Sequence, residues 1–259
     1  MFGRCNLVGK DVTSIGPGSL SPSTEALSIE DSSVSFFASS LRAGGGVTPT
    51  SVSDGSPALI TRGEVVLHVS ATSMTAGEAD STTSSGACFS LGGEPAIRVD
   101  SGSLETFERG AQLVGADGVG GPTCPPGADG TEIGGVGMIQ RTLLDGTPTH
   151  LISPRTVDEA SSFVLRSVAS PGDLCFVAVS GAAAVPFDLD LPLYVDFPLT
   201  SFVLGTAGGL GSAQALFTLG SVPAGLGALD LHFQTASVDG AGVLAVGSPA
   251  YTAFLDTIP

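Results

Sequence analysis

The residues that could carry catalysis are few and scattered. The chain has three histidines, His68, His150 and His232, and none belongs to an HxH or HExxH arrangement. Serine is abundant, yet no GxSxG nucleophile elbow occurs. No two of the 25 acidic residues are marked as a catalytic pair, because that chemistry depends on the separation of two carboxyl groups in space. The sequence therefore predicts a protein that is not an enzyme.

Two aspartates suggest one candidate metal site. Asp188 and Asp190 flank a single leucine, and carboxylate oxygens of this kind bind Ca²⁺. No DxDxDG loop surrounds them, and the cysteines lie neither in CxxC spacing nor near a histidine, which argues against zinc. We therefore expect no cofactor, and a structural calcium ion, if bound, would use Asp188 and Asp190.

Four cysteines allow three complete disulfide pairings. Cys88 (in SGACFSLGG) and Cys124 (in GPTCPPGADG) lie in glycine-rich, turn-like segments, which suits a bridge between two loops. Cys175 lies within the apolar run LCFVAVS, which predicts a buried free thiol that packs as a small hydrophobic group. The candidate disulfide is therefore Cys88–Cys124.

Charge and composition exclude several classes of protein. With 9 basic and 25 acidic residues the formal net charge is −16, which disfavours binding to nucleic acid or to an anionic membrane surface. Apolar residues make up 42% of the chain, too many for intrinsic disorder, yet no apolar run approaches the roughly 20 residues of a membrane-spanning helix. The first residues lack the apolar core of a signal peptide, so we expect either an intracellular protein or an exported form that has lost its leader.

Short apolar runs separated by Gly, Pro and Asp-Gly turns predict strands. The clearest is Ala228–Ala236, in which leucine and phenylalanine alternate with polar residues. Weak helix patterns occur over 104–113 and over 157–165, where Thr156 and Glu159 have the spacing of a capping box. Further strands are predicted at Val34–Ala38, Val65–Ala71, Met138–Leu144, His150–Ser153, Phe163–Val168, Leu174–Ser180, Leu193–Phe197, Phe202–Gly205, Gln214–Leu219, Val243–Val246 and Ala250–Leu255.

The predicted fold class is all-β, with antiparallel sheets arranged as a β-sandwich or jelly roll and few short helices. Predicted strands recur about every ten residues in the second half, whereas the first half has longer loops and a weaker pattern. We therefore expect a β-rich N-terminal region over 1–165 and an antiparallel β-sandwich over 166–259. A single large sandwich or jelly roll covering the whole chain is the alternative.

Residues 171–258 contain a series of short motifs in a definite order. Pro171-Gly172 leads into LCFVAVS, and then come LYVD, a strand that ends in Leu-Gly, the segment QALFTLGSVPAGLGALDLHFQ, and Gly247-Ser248 before the last strand. This order resembles a poorly characterised C-terminal β module of large secreted proteins from environmental bacteria. The sequence departs from that pattern at Pro249, where the module usually has asparagine. The resemblance implies an exported β-sandwich with a binding, surface or packing role and no known catalysis.

These observations lead to three functional hypotheses. The first is a non-enzymatic structural or adhesive protein of the extracellular space or cell surface, which binds a protein or matrix partner or another copy of itself. The second is a self-assembling shell or filament subunit, such as a viral coat protein, located in the assembled particle. The third is a carbohydrate-active enzyme or carbohydrate-binding module, for which a chain with no Trp and only Tyr194 and Tyr251 is poorly equipped. The acidic charge counts against the second hypothesis, because the inner face of a coat subunit must touch a genome. We expect no nucleic-acid partner and no transmembrane segment.

Overall fold

A computed structural model describes residues 2–3, 6–9, 13–16, 19–21, 23–45, 55–79, 90–120, 124–146, 148–183, 193–196, 200–218, 220–223 and 226–256. These residues form strands, turns and coil, with no helix among them, so the protein is all-β as predicted. Within these ranges there is no helix of the length and apolarity needed to cross a membrane. Contacts divide the chain into two compact units, Met1–Thr142 and Leu143–Pro259.

The strands of the first unit are short. In chain order they are β1 (Phe2–Gly3), β2 (Asn6–Val8), β3 (Thr13–Gly16), β4 (Ser19–Ser21), β5 (Leu27–Glu30), β6 (Ser33–Phe37), β7 (Ser40–Arg42), β8 (Leu59–Arg62), β9 (Glu64–Ser70), β10 (Ser73–Thr75), β11 (Ser90–Leu91), β12 (Ile97–Val99), β13 (Ser103–Arg109), β14 (Gln112–Val114), β15 (Val119–Gly120), β16 (Ile133–Gly135) and β17 (Met138–Leu143).

Most of these strands build three sheets that wind into a parallel β-solenoid. Sheet 1 has the order β5-β8-β12-β16, sheet 2 the order β1-β6-β9-β13-β17, and sheet 3 the order β2-β7-β10-β14. The chain visits the three sheets in turn, so that β5, β6 and β7 form one rung, β8, β9 and β10 the next, and β12, β13 and β14 a third. Strands of successive rungs pair in parallel. The prediction of antiparallel sheets is therefore wrong for this unit, because each strand pairs with the next rung and not with its chain neighbour.

Apolar side chains stack from rung to rung inside the solenoid. In sheet 2, Phe36 lies beside Val69, and in sheet 1, Leu59 lies beside Ile97, all of them buried. Full burial of one such side chain contributes roughly 1.5–3 kcal/mol. The interior column of sheet 3 consists of Leu7, Leu41, Met74 and Leu113.

Each rung turns its corners with left-handed backbone. Ala38 (φ 45°) and Ala71 (φ 48°) occupy equivalent positions between sheets 2 and 3, although alanine is strained there because of its Cβ. Beside them the Thr72 hydroxyl donates to the Ser70 carbonyl (3.0 Å) and accepts a hydrogen bond from the Ser39 N–H (3.3 Å). These bonds hold both alanines in the strained conformation. The left-handed positions of the two corners are Asp31, Gly63 and Gly102 at the first and Ala38, Ala71 and Gly110 at the second.

The second unit contains two sheets of longer strands. Sheet 4 has the order β18-β20-β23 and is antiparallel, and sheet 5 has the order β19-β25-β24-β21-β22, in which only the β19–β25 pair is parallel. The strands are β18 (His150–Ile152), β19 (Thr156–Asp158), β20 (Ser162–Val168), β21 (Leu174–Ser180), β22 (Thr200–Thr206), β23 (Ser212–Thr218), β24 (Ala228–Val238) and β25 (Leu244–Leu255).

The start of the second unit differs from the expected boundary at residue 165. Strand β18 pairs with β20, and β20 pairs with β23, so residues well before 165 belong to the second unit. The predicted helix over 157–165 is wrong, because Thr156 lies in β19 and Glu159 accepts a hydrogen bond from the Val222 N–H (3.1 Å) instead of capping a helix. The helix predicted over 104–113 is likewise replaced by β13 and β14.

One apolar cluster joins sheets 4 and 5. Phe163 of sheet 4 contacts the rings of Phe233 and Phe254 of sheet 5, with centroid distances of 6.3 and 5.3 Å. Next to this cluster, the buried hydroxyls of Ser167 and Thr235 lie 2.7 Å apart and hydrogen-bond across the two sheets. Sheets 4 and 5 therefore share one apolar core, with one polar link inside it.

Candidate interaction surfaces

Sheet 3 presents a regular outward face. Each of its three-residue strands directs the middle residue into the core and the flanking two away from it. Because neighbouring parallel strands lie about 4.8 Å apart, the outward residues form a grid with that repeat. One row of the grid is Asn6, Ser40, Ser73 and Gln112, and the other is Val8, Arg42, Thr75 and Val114.

The two rows of this grid differ in chemistry. The first offers hydroxyl and amide groups that both donate and accept hydrogen bonds. The second contains Val8 and Val114, which are 64% and 50% exposed, together with the cationic Arg42. A regular face that combines hydrogen-bonding and apolar contacts can bind an extended partner that lies along or across the rungs. The sequence analysis did not predict this face. Its signal in the sequence is a set of four triplets with a central Leu or Met, namely NLV, SLR, SMT and QLV.

The outer face of sheet 1 is occupied by ion pairs. Arg62 and Arg98 both contact Asp100, at 2.9 and 2.8 Å, and Arg98 also contacts Glu94 at 3.2 Å. All four side chains are partly exposed, so each pair contributes at most about 1 kcal/mol. The charged side chains of this face therefore form ion pairs with one another. None of the ion pairs among the described residues involves the outward grid of sheet 3.

A buried carboxylate lies near the last rung of the solenoid. Glu108 is 4% exposed and occupies the interior column that holds Phe36 and Val69 in earlier rungs. The guanidinium of Arg141 donates to both of its oxygens (2.9 and 2.8 Å), and the Thr106 hydroxyl donates a third hydrogen bond (2.8 Å). Hydrogen bonding to Glu108 raises the pKa of Arg141 further above its ordinary value, despite partial burial. The arrangement closes the apolar interior with a polar layer in which both carboxylate oxygens of Glu108 are hydrogen-bonded.

His68 lies on the outward side of sheet 2, yet it is completely buried. Its ring packs against Phe37 at 5.3 Å, and neither ring nitrogen has a hydrogen-bond partner among the residues that the structure describes. Burial, with a smaller contribution from the charge of Arg109, lowers the pKa of His68 to about 4.

The second unit exposes a small group of polar and aromatic side chains on sheet 5. The Tyr251 hydroxyl donates to the Asp230 carboxylate (2.8 Å), and the His232 ring lies 5.5 Å from the Tyr251 ring. The hydrogen bond to Asp230 raises the pKa of Tyr251. Tyr251 is 47% exposed, so this is an accessible surface and not an enclosed pocket.

Only some of the residues predicted as sites lie within the described ranges. Asp188, Asp190 and Cys88 lie outside the described residues, and within the described ranges no group of three or more His, Cys, Asp or Glu side chains could hold a metal ion. Cys124 is disulfide-bonded, and because Cys88 lies outside the described residues, the pairing of the two stays a prediction. Cys175 is a buried free thiol, as predicted, and burial raises its pKa.

Comparisons with known proteins give no family for this chain. No family model matches the sequence. No curated protein matches it either. Among solved structures, a superoxide reductase (neelaredoxin) from Ignicoccus hospitalis is similar over 42% of this chain and 81% of its own, with 9% identity and a TM-score of 0.27. A likeness of that size carries no argument about activity.

Proposed function

We propose that this protein is a non-enzymatic interaction module of an extracellular or cell-surface structure. The observation that carries the proposal is the outward grid of sheet 3, a regular face of the solenoid in which most side chains are exposed. Solenoids bind partners through extended surfaces of this type, because stacked rungs place equivalent side chains in register. The expected partner is a protein or matrix polymer that can lie across several rungs.

Two further observations support an extracellular setting. Cys124 forms a disulfide, and disulfides persist mainly in oxidising compartments. The order of motifs over 171–258 resembles a module of secreted bacterial proteins, and the apolar core shared by sheets 4 and 5 supports our proposal that this part is a β-sandwich of that kind. A structural calcium ion at Asp188 and Asp190 remains part of this proposal.

A binding test with matched variants addresses the proposal. Wild-type protein is applied to surfaces coated with peptidoglycan, cellulose, chitin, collagen or fibronectin, and we expect saturable binding to at least one. The double variant S40E/S73E places two charges in the grid of sheet 3 and should weaken that binding at least about tenfold. The control S33E adds a charge at an exposed position of sheet 2 and should leave it unchanged. Absence of binding to the whole panel, or equal loss in both variants, would contradict the proposal.

A second candidate function is a self-assembling subunit. A specific feature favours it: residues 197–229, which include β22 and β23, contain no Asp, Glu, Lys, Arg or His. In a chain of net charge −16, such a segment is where identical copies can approach without charge repulsion.

A further inference from the structure

Two strands of the uncharged segment, β22 and β23, lie at sheet edges of the second unit. Strand β22 is the last strand of sheet 5 and β23 the last strand of sheet 4, and among the described residues no other strand pairs with the outer side of either. The two strands follow each other along the chain and are in contact. Phe202 of β22 contacts Phe217 of β23 at a ring distance of 5.6 Å, which connects the edges of the two sheets. We call this pair of edges, Thr200–Thr206 with Ser212–Thr218, the open edge.

The open edge exposes apolar side chains. Phe202, Val203 and Leu216 are 41%, 61% and 69% exposed. Val164 of β20, directly opposite Leu216, is 44% exposed and extends the same surface. Monomeric proteins usually protect edge strands with charge, proline or bulges. Here a register shift at Leu204–Gly205 interrupts only the second half of β22, so Thr200–Val203 remains a regular strand edge.

Charge determines which partner fits. From residue 143 onward the sequence has ten acidic residues and two arginines, so two copies of the chain repel each other over most of their surfaces. The open edge contributes no charge to that repulsion. A basic partner would gain nothing there, whereas an identical copy meets a surface that is apolar and uncharged and whose strand-edge hydrogen-bonding groups pair with no other described strand.

We propose that a second copy of this chain docks on the open edge, with the two β22 strands pairing antiparallel about a two-fold axis. The proposal deepens the self-assembly candidate and rests on it. Such a pairing is self-complementary, as two-fold interfaces are, and joins two copies of sheet 5 into one continuous sheet. Val203 and Phe202 of each copy then lie beside the partner's β22, and screening of the like charges by salt strengthens the association.

The mass of the full chain in solution tests the proposal. Sedimentation velocity over a range of concentrations, at about 0.05 M and about 0.5 M NaCl, should show a monomer–dimer equilibrium that is tighter at high salt, where the Debye length is shorter. V203K places two like charges across the two-fold pairing and should raise the dissociation constant at least about tenfold. The control V136K changes a valine that is 86% exposed in the first unit and should leave the equilibrium unchanged.

Hydrogen exchange identifies the strand that pairs. Amides of Thr200–Val203 should exchange more slowly at high protein concentration than at low concentration, and V203K should remove the difference. T200K, at another exposed position of the same edge, repeats the test if V203K alters the far-ultraviolet circular dichroism spectrum. A monomer at every concentration and salt level, or a dimer that both lysine variants leave intact, would overturn the inference. The variant S40E/S73E should dimerise normally, which separates this result from a failure of the proposed partner-binding face.

Discussion

The buried histidine makes the stability of the first unit depend on pH. His68 has no hydrogen-bond partner among the described residues, and its pKa is lowered from 6.5 to about 4. The unfolded chain therefore binds a proton at a higher pH than the folded chain does. The stability associated with the neutral ring is fully present above about pH 6.5 and is lost as the pH falls toward 4.

The size of this loss follows from the two pKa values. Each pKa unit corresponds to about 1.4 kcal/mol, so the full difference is about 3 kcal/mol below pH 4. Near pH 5, protonation of the unfolded state already costs the folded state about 2 kcal/mol. That amount is a large fraction of the 5–15 kcal/mol that typically stabilises a domain.

Urea unfolding at about pH 7.5 and about pH 5, followed by circular dichroism, measures the change. Hydrogen exchange of a peptide that contains β9 assigns the transition to the first unit. Acidic residues also titrate over this range, so the informative quantity is the difference between variants. We expect H68L to remove about 2 kcal/mol of the pH dependence. H232L, at a half-buried position of the second unit, should leave the first unit's dependence as in the wild type. Equal pH dependence in wild type and H68L would refute the reasoning.

Three further predictions concern other parts of the structure. R141L leaves the Glu108 carboxylate buried without its cation and should destabilise the first unit by about 3–5 kcal/mol in urea unfolding, whereas E108L/R141L should recover part of that loss. A71G removes a Cβ from a left-handed corner and should raise stability by about 1 kcal/mol, measured as a higher urea midpoint; a lower midpoint would contradict the strain at that corner. D230N should lower the pKa of Tyr251, visible as an earlier rise of phenolate absorbance in a spectrophotometric titration, and an unchanged titration would count against the hydrogen bond.

Most strands of the second unit were predictable because they have a local signal, and β19, which lies where a helix was predicted, is the exception. The alternation over Ala228–Ala236 corresponds to β24, and the apolar run LCFVAVS corresponds to β21. One error is instructive: Val243–Val246 and Ala250–Leu255 were predicted as separate strands, yet β25 runs continuously through them. The Gly247-Ser248-Pro249 segment resembles a break, but a Cβ at Gly247 would lie 2.4 Å from the Thr149 carbonyl oxygen. Glycine is therefore present for a close approach of chains and not for a turn.

The solenoid could not be recognised from the sequence because its repeat is irregular. Equivalent positions in sheet 1, at Leu27, Leu59, Ile97 and Ile133, are 32, 38 and 36 residues apart. Buried and exposed residues alternate in the same way in parallel and in antiparallel strands. The alternation therefore predicts that a segment is a strand but not which strand it pairs with. Strands of three residues, such as those of sheet 3, are also too short to stand out in a periodicity window. The outward grid was missed for that reason.

The stacked corners and columns also determine how the length of the first unit can change. Each rung contacts only the rungs above and below it, and all interior columns continue through the middle rungs. Duplication or deletion of a whole rung in that region preserves the pairing register of every strand. Loss of part of a rung, in contrast, disturbs the strand pairing in all three sheets at once. The Glu108–Arg141 layer is the exception, since an added rung beyond it would meet a charged surface instead of an apolar column. In evolutionary terms the solenoid is extensible in its middle and has a fixed end.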